Sequence, residues 1–293
     1  MKSAFVAIVG RPSAGKSTLL NALCGFKIAI TSPTPQTTRN KVRGILTEER
    51  GQLVFIDTPG FHLSEKKINK HMIELITSSL EEVDVVLYVI DGTREPGPEE
   101  DSIAELLRTF EENLVIACNK KDLPASMSNF IREYTGTVLP GARFVPVSAA
   151  DGSGLEELKT ELFTVTPEGE LMYPEEFYTD QEPQFRASEI IREKALQKVR
   201  QEIPHALYVE IADMQQEEAP PLPRLWIRAF LVVERESQKG ILIGKGGEMI
   251  KSIRQEAQKE LGKILPYRIH LDLRVKVNYK WRKKDDLLRR LIQ

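Results

Sequence analysis

Short apolar runs alternate with amphipathic segments along the first half of the chain. Apolar runs that end at glycine or polar residues occur at residues 4–9, 52–57, 83–90, 113–118 and 143–147. Runs of this length are typical of strands buried on both faces of a parallel sheet. Helical spacing predicts helices between them, at residues 17–24, 67–80, 98–111, 126–135 and 154–163. Strands that alternate with helices predict an α/β domain whose sheet is covered on both faces.

The predicted sheet has six strands, and one of them is antiparallel. A sixth strand-like run, residues 41–47, is joined to residues 52–57 by the polar turn at residues 48–51. So short a connection between two such runs is typical of a β-hairpin. The hairpin therefore places residues 41–47 at an edge of an otherwise parallel sheet.

The pattern changes after residue 164. Residues 165–185 contain prolines among acidic and aromatic residues, and we interpret them as a linker, because proline blocks the interior of a helix or a central strand. Beyond them, residues 186–293 show the order helix, strand, strand, helix, glycine-rich loop, helix and strand, which predicts a smaller α+β domain. The first domain is accordingly predicted at residues 1–164. The elements predicted in the second are helices at 186–203 and 248–262, strands at 207–213, 224–234 and 267–277, and a basic helix at 280–292.

Composition indicates a folded, cytoplasmic chain. It has 293 residues, of which 41% are hydrophobic and 29% are charged, values that argue against disorder. No apolar run approaches the ~18 residues of a membrane-spanning helix. Cys24 and Cys118 are too isolated for a zinc site or a redox pair, and we expect both in the core.

The formal net charge of −2 hides an asymmetry between the two halves. Residues 1–180 carry a net −9 and residues 181–293 a net +7, and the excess rises to +9 within residues 237–293. A split of this kind indicates two domains with different partners, the second of them a polyanion.

Residues 10–17 match the phosphate-loop motif G-x-x-x-x-G-K-[ST], directly after the first strand and at the start of the first helix. Such a loop aims backbone N–H groups at a phosphate, which the helix N-terminus also favours. Lys16 would reach the β- and γ-phosphates, and the Ser17 hydroxyl would coordinate Mg²⁺. The predicted phosphate-binding residues are Gly10, Ser13, Ala14, Gly15, Lys16, Ser17 and Thr18.

Two further polar segments follow predicted strands. In Asp57-Thr58-Pro59-Gly60, the Asp57 carboxylate would hold the Mg²⁺ shell and the Gly60 N–H would contact the γ-phosphate. In Asn119-Lys120-Lys121-Asp122, the Asp122 carboxylate would accept two hydrogen bonds from guanine, which adenine does not offer. Such a site discriminates by ~10⁴ or more. Three residues after another strand, Ser148, Ala149 and Ala150, would place N–H groups near the guanine carbonyl.

These elements, in this order and at strand ends, resemble the GTPase superfamily, whose ligands sit at the carboxyl ends of the strands. The resemblance implies GTP and GDP as ligands, Mg²⁺ as cofactor, and a mobile switch loop with a Mg²⁺-binding threonine. Residues 35–39 precede the hairpin and contain Thr37 and Thr38; we favour Thr38, because Thr-Arg pairs end this segment in similar GTPases. Ser17, Thr38 and Asp57 are then the predicted metal ligands, and Lys16, Thr38 and Gly60 the predicted catalytic residues.

Two residues depart from related GTPases. Phe61 follows Gly60 where many signalling GTPases carry a water-orienting glutamine, and an apolar side chain cannot orient water. We therefore expect slow unaided hydrolysis, on the order of 10⁻³ s⁻¹ or less. His62 is a candidate for this role, with an ordinary surface histidine as the alternative. Ser13 stands where potassium-stimulated relatives have asparagine, which argues against activation by monovalent cations.

The second diagnostic segment is the glycine cluster at residues 244–247. Flanked by Ile243 and Ile250 between two helices, it resembles the type II KH module, whose G-x-x-G loop clamps about four nucleotides. Ile250, Ile253, Ala257 and Leu261 recur at helical spacing and are expected in the core. Trp281, in the basic tail, either stacks on a base or packs in the domain. The predicted RNA-binding residues are Ile243, Gly244, Lys245, Gly246, Gly247, Lys251, Arg254 and Lys283.

A GTPase domain, a proline-containing linker and a KH module in one chain closely resemble the bacterial Era GTPases. The resemblance implies a GTP-hydrolysing switch that assists maturation of the 30S ribosomal subunit. It also implies that the KH module holds the single-stranded 3′ end of 16S ribosomal RNA. DNA is not an expected partner. A monomer, and a peripheral association with the inner membrane surface, are further expectations.

Two rival functions remain open from the sequence. Phe61 is compatible with an RNA-binding scaffold that holds GTP but scarcely hydrolyses it. The basic tail is compatible with a signalling GTPase that binds anionic lipid, although a lipid headgroup needs no glycine clamp.

Overall fold

Six strands form one sheet in the first half of the chain, as a computed structural model shows. They are β1 (Lys2–Val9), β2 (Val42–Glu48), β3 (Gly51–Asp57), β4 (Val85–Asp91), β5 (Leu114–Asn119) and β6 (Arg143–Pro146). Their order across the sheet is β2-β3-β1-β4-β5-β6, with β2 antiparallel to β3 and the other pairs parallel. The prediction of a mostly parallel sheet with one antiparallel edge strand is confirmed.

The structure describes residues 1–32, 37–61, 74, 76–200 and 202–291. It divides into two compact units, the first formed mainly by the described parts of residues 1–180 and the second by residues 181–290. No helix in these described ranges is long and apolar enough to cross a membrane.

Helices connect the parallel strands of the first unit. They are α1 (Lys16–Cys24), α2 (Pro98–Leu107), α3 (Ser128–Val138) and α4 (Leu155–Val165), and residues 76–80 are also helical. The predicted helix at 98–111 ends at Leu107, and its last part is instead a 3₁₀ turn over Arg108–Asn113. Most of the helix predicted at 67–80 lies outside the described residues.

The apolar runs form the core of the first unit because helices cover both faces of the sheet. Every residue of β3 and of β5 is buried. Cys24 and Cys118 are buried free thiols, as expected, and burial raises the pKa of Cys24 to about 12. Burial also raises the pKa of Cys118, so neither thiol is available as a thiolate near neutral pH.

Residues 167–180, which we call the strap, lie along the first unit, although they were predicted within a linker. Gln52 on β3 is fully buried, and its Oε1 accepts the N–H groups of Met172 and Tyr173 at 2.9 Å each. Its Nε2 donates to the Tyr173 carbonyl at 2.9 Å. The strap thus satisfies a polar side chain that would otherwise be buried without partners.

The end of the strap lies against the edge strand β2. The Ile45 N–H donates to the Tyr178 carbonyl at 2.9 Å, and the Arg43 guanidinium pairs with Asp180 at 2.9 Å. The Tyr178 ring stacks on Phe26 with centroids 4.4 Å apart. These contacts occupy part of an edge that would otherwise expose unpaired backbone groups.

The second unit has helices and a three-stranded sheet. Its helices are α5 (Pro183–Leu196), α6 (Ile203–Ala206), α7 (Glu236–Ile243), α8 (Glu248–Ile264) and α9 (Asp285–Leu291), and its strands are β7 (Tyr208–Glu217), β8 (Arg224–Val233) and β9 (Arg268–Val277). In the sheet, β7 is antiparallel and β9 parallel to the central strand β8. The α+β order predicted for the type II KH arrangement is confirmed.

Several boundaries in this unit differ from the prediction. The helix predicted at 186–203 ends at Leu196, and the strand predicted at 207–213 continues to Glu217. Helix α5 begins at Pro183, which we had placed in the linker; proline fits the first turn of a helix, where its missing N–H is not needed. The predicted helix at 280–292 is a 3₁₀ turn over Trp281–Lys283 followed by α9.

Candidate functional site

The phosphate loop is built by close approach of backbone segments at the carboxyl ends of β1 and β3. Gly15 has a φ of +96°, and a Cβ there would lie 2.2 Å from Nδ2 of Asn119. A Cβ on Gly60 would lie 2.7 Å from the Pro12 nitrogen. Both positions therefore require glycine, and the predicted Gly60 segment does lie against the phosphate loop.

The other residues predicted for the phosphate loop line the start of α1. Ala14 is buried, Thr18 is half-buried and Ser13 is exposed. Ser13 has a φ of +64°, an unusual conformation for a residue other than glycine. The backbone thus turns sharply just before Gly15, as a loop that aims its N–H groups at one point must.

Lys16 is buried with its ammonium group held over the loop. Its Nζ donates to the carbonyls of Gly10 and Arg11 at 3.0 Å each. Burial lowers the pKa of Lys16 to about 8, although the nearby Asp57 opposes the shift. An anion bound at the loop would stabilise this cation, as a β- or γ-phosphate would.

The three residues predicted to bind the metal lie together. Ser17 Oγ is 2.8 Å from Thr38 Oγ1 and donates to Asp57 Oδ2 at 2.6 Å. Thr38 Oγ1 donates to the same carboxylate oxygen at 3.3 Å. The structure therefore brings Thr38, the residue that we favoured over Thr37, to the phosphate loop. Residues 35 and 36 of the predicted switch lie outside the described residues.

Asp57 offers an unused oxygen at this point. The residue is fully buried, and its Oδ1 has no hydrogen-bond partner among the residues that the structure describes. Burial raises the pKa of Asp57, and Lys16, Ser17 and Thr38 oppose the shift. One carboxylate and two hydroxyl oxygens are hard ligands of the kind that Mg²⁺ takes together with phosphate oxygens, so these residues fit the predicted metal.

Asn119 connects the loops that were predicted to hold the two ends of the nucleotide. Its Nδ2 donates to the Ala14 carbonyl at 2.9 Å, and its Oδ1 accepts the Ala149 N–H at 3.0 Å. The side chain is buried. Asn119 therefore fixes the distance between the phosphate loop and the predicted base loops.

The predicted base-binding residues lie in two turns after β5 and β6. Lys120 has a φ of +68°, its Nζ pairs with Asp91 Oδ2 at 2.6 Å, and Asp122 is exposed in the same turn. Ser148 is buried, and its Oγ accepts the Ala150 N–H at 3.2 Å. The arrangement leaves the Asp122 carboxylate accessible to a base.

Sequence reasoning missed an ion pair that holds the phosphate loop. Arg11 Nη1 lies 2.8 Å from Glu100 Oε2, and Arg11 Nε lies 2.7 Å from Glu99 Oε2. Glu100 also accepts the Gly97 N–H at 2.9 Å, at the start of α2. Arg11 occupies a variable position of the motif, so the motif itself carries no signal for this contact.

Phe61 takes no part in the polar geometry. Its N–H donates to the Gly10 carbonyl at 3.1 Å, and its side chain is only 7% exposed among core residues that include Ile76. The side chain therefore offers nothing to orient a water molecule. His62, the other candidate for that role, lies outside the described residues.

The second predicted site is the turn between α7 and α8. Gly246 and Gly247 have φ values of +60° and +79°, and a Cβ at either would meet no atom within 4 Å. The backbone conformation therefore favours glycine at both positions, and the space in front of them is open among the described residues. A sugar-phosphate backbone would approach through this space.

The side chains around the turn separate into a buried and an exposed set. Ile253, Ala257 and Leu261 are buried, as their spacing predicted, whereas Ile250 is only half-buried. The predicted RNA-binding residues at the turn are exposed or half-buried: Ile243, Gly244, Lys245, Gly246, Gly247, Lys251 and Arg254. Lys283 is also exposed, but it lies on the 3₁₀ turn after β9.

The structure decides between the two interpretations of Trp281. The side chain is 1% exposed, its Nε1 donates to the Ala206 carbonyl at 2.8 Å, and its ring meets Tyr208 edge to face. Trp281 is a core residue of the second unit and is not available to stack on a base.

Comparison with known proteins relates both units to described families. Residues 5–120 match a family described as 50S ribosome-binding GTPase, and residues 202–282 match the KH domain family. GTPase Era of Treponema denticola is 48% identical over 99% of both chains, and GTPase Era of Borreliella burgdorferi is 46% identical over the full length of both.

Two solved structures are similar over almost the whole chain. One is a variant of Aquifex aeolicus Era bound to GDP and AlF₄⁻, and the other is Era in complex with MgGDPNP and nucleotides 1506–1542 of 16S ribosomal RNA. Each is 36% identical to this chain, covers 99% of it and superposes with a TM-score of 0.93. The similarity therefore includes both units.

Proposed function

This chain belongs to the Era family of GTPases, and from that premise we propose that it binds the 3′ end of 16S ribosomal RNA and assists maturation of the 30S subunit. One observation carries the proposal. Ser17, Thr38 and Asp57 meet beside the phosphate loop of a chain that also presents an open glycine turn. A nucleotide switch and an RNA clamp are thus combined in one molecule.

The nucleotide site would act through charge and position. Lys16 and the loop N–H groups hold the β- and γ-phosphates, and the Gly60 N–H contacts the γ-phosphate. Mg²⁺ held by Ser17, Thr38 and Asp57 supplies charge neutralisation on the transferred phosphoryl group when it is bound. Because Phe61 presents no polar atom to water, unaided turnover is slow.

An Asp57→Asn variant is expected to lower Mg²⁺-dependent GTP hydrolysis by about 100-fold. Asparagine keeps the volume and one oxygen toward Ser17, but it removes the charge that the metal needs. Single-turnover hydrolysis measured over a range of Mg²⁺ concentrations tests this, with circular dichroism to verify that the variant is folded. A folded variant with unchanged Mg²⁺ dependence would contradict the metal assignment.

Switching would connect the two activities. The γ-phosphate would order the segments that contain Thr38 and Gly60, and hydrolysis would release them. Helix α5 follows the strap directly in sequence, and the strap contacts β2, the strand that follows the Thr38 segment. The RNA affinity of the GTP form is therefore expected to differ from that of the GDP form.

A Gly246→Asp variant is expected to weaken RNA binding at least tenfold, because the new carboxylate repels phosphate at the open turn. Aspartate tolerates a positive φ better than most residues, so the fold should survive. Fluorescence anisotropy with the single-stranded 3′ end of 16S ribosomal RNA, in the presence of a GTP analogue or of GDP, measures both this loss and the effect of nucleotide.

Gly262→Asp is the matched control for that experiment. Gly262 lies near the other end of α8, and a Cβ there also meets no atom within 4 Å. The Gly262→Asp variant should bind RNA with the affinity of the unaltered chain, and both variants should bind GTP normally. Unchanged RNA affinity in Gly246→Asp, or equal losses in the two variants, would speak against a clamp at the glycine turn.

Two finer expectations belong to the same proposal. We expect the chain to act as a monomer and to associate only peripherally with the inner face of the cytoplasmic membrane. The family resemblance supports both, and the exposed cations of residues 280–284 would provide attraction to anionic lipid.

A further inference from the structure

An exposed aromatic ring lies shortly after β9, two residues before the buried Trp281. We propose that this residue, Tyr279, is a stacking platform for a base of the bound RNA, outside the nucleotides that the glycine turn clamps. Its side chain is 63% exposed. The inference rests on the proposed function, because it extends the RNA site of the same unit.

Tyr279 is held in place by anchors on both sides. The Asn278 N–H donates to the Val233 carbonyl at 2.8 Å, and its side-chain amide donates to the Tyr208 hydroxyl at 3.0 Å. On the other side, Trp281 is fixed in the core through Ala206. The ring is therefore exposed because a rigid turn presents it, and not because the chain end frays.

The backbone beside the ring is strained. Lys280 has a φ of +53° and a ψ of +32°, although it carries a side chain. A residue other than glycine is strained in this region, and such strain persists where the surroundings enforce it and clusters at functional sites. The strain allows Trp281 to turn into the core while Tyr279 stays in solvent.

Four basic residues follow the ring in the sequence, at positions 280 and 282–284. Lys280 and Lys283 are exposed, and within the described part of the chain neither forms an ion pair. Arg282, between them, is paired with Glu234, and Lys284 donates to Asn278 Oδ1 at 2.6 Å. The two exposed lysines are thus free to contact the phosphates on either side of a stacked base.

Two aromatic rings on β8 are covered by cations, unlike Tyr279. Arg228 lies over the Trp226 ring at 4.7 Å, and Lys276 lies over the Phe230 ring at 4.9 Å. Those cations are themselves paired with acidic residues. Tyr279 has no ring or cation contact of this kind within the described residues, so its face is available.

The platform lies within reach of an RNA strand that leaves the glycine turn. Arg282 pairs with Glu234, two residues before α7, and α7 leads directly to Gly244. An eight-residue helix is about 12 Å long. A strand longer than the roughly four nucleotides that a KH loop clamps could span this distance.

Binding of two single-stranded RNAs tests the proposal: the last ten or so nucleotides of 16S ribosomal RNA, and the four of them that the glycine turn clamps. Tyr279→Ala should weaken binding of the longer RNA by about 5- to 100-fold, which is the effect expected from the loss of one base–aromatic stack. The affinity of Tyr279→Phe should stay within about twofold of that of the unaltered chain. Binding of the tetranucleotide should not change. Leu222→Ala, which removes another exposed apolar side chain, in the loop before β8, is the control.

Salt dependence separates stacking from charge. The slope of log affinity against log salt should be unaltered in Tyr279→Ala, whereas Lys283→Ala should lower it by about one. Photocrosslinking with 5-iodouridine at each position in turn should join Tyr279 to a nucleotide outside those that reach the glycine turn.

The outcomes distinguish this inference from the proposed function. If the unaltered chain fails to bind the longer RNA, the proposed function fails. The stacking platform alone is wrong if the unaltered chain binds the longer RNA and if Gly246→Asp weakens this binding whereas Tyr279→Ala does not. A loss in Tyr279→Phe as large as in Tyr279→Ala would also overturn it, because a hydroxyl contact would then explain the effect.

Discussion

In an Asp122→Asn variant, the ratio of the affinity for GTP to the affinity for xanthosine triphosphate is expected to fall by about 10⁴-fold. The Asp122 carboxylate would accept hydrogen bonds from the ring N–H and the amino group of guanine. An asparagine amide turns an N–H group toward one of these donors, so two donors face each other and one hydrogen bond of the complex is lost. Xanthine carries a carbonyl in place of the amino group and would pair with that amide.

Competition of the two triphosphates against a fluorescent nucleotide measures the preference as a ratio, so a partly unfolded sample does not distort it. Asp122 is exposed in the turn after β5, and its replacement should leave the fold intact. Asp101→Asn is a suitable control, because Asp101 is an exposed aspartate on α2. A variant at Asp122 that still prefers GTP would show that another residue reads the base.

A Lys16→Ala variant is expected to lower GTP hydrolysis by about 10³-fold and to weaken GTP binding more than GDP binding. The Lys16 ammonium is buried above the phosphate loop, where charge stabilisation is stronger than in water. Its removal takes away one of the two positive charges, the Lys16 ammonium and the bound Mg²⁺, that would face the γ-phosphate. Single-turnover hydrolysis with excess protein, together with the two nucleotide affinities, measures the effect.

Lys159→Ala provides the comparison for Lys16. Lys159 pairs with Glu48 and Glu156 at 3.1 and 2.8 Å, contacts that involve no residue of the nucleotide site. Its loss should leave hydrolysis close to that of the unaltered chain. If Lys16→Ala hydrolyses GTP as fast as Lys159→Ala does, the catalytic role of Lys16 is wrong.

The parallel sheet was predictable because local pattern and covalent order determine it. Continuous apolar runs, glycine turns and the hairpin at residues 48–51 act over short distances in the chain. The strap was not predictable in the same way. Its prolines indicate only that no regular helix or strand forms, and they do not say whether the segment packs on the protein. The available signal was Gln52, a polar side chain in a buried strand that required partners.

The candidate site shows the same division. The motifs brought Ser17, Thr38 and Asp57 to one point because each follows or precedes a strand whose position the sheet sets. The bridge through Asn119 and the pair of Arg11 with Glu100 join segments about 90 to 105 residues apart, and no spacing rule reports such contacts. Likewise, the pattern could not tell which of two aromatic residues in the tail, Tyr279 or Trp281, turns inward.

The strap has a consequence for how this protein is divided into modules. A gene fragment that stops where the composition changes, near residue 164, would encode a sheet whose β2 edge is open and whose Gln52 has lost its partners on the strap. Open edges of this kind pair with other chains and aggregate. A self-sufficient GTPase fragment therefore has to extend to Asp180, and recombination that exchanges RNA-binding modules would be tolerated only beyond that residue.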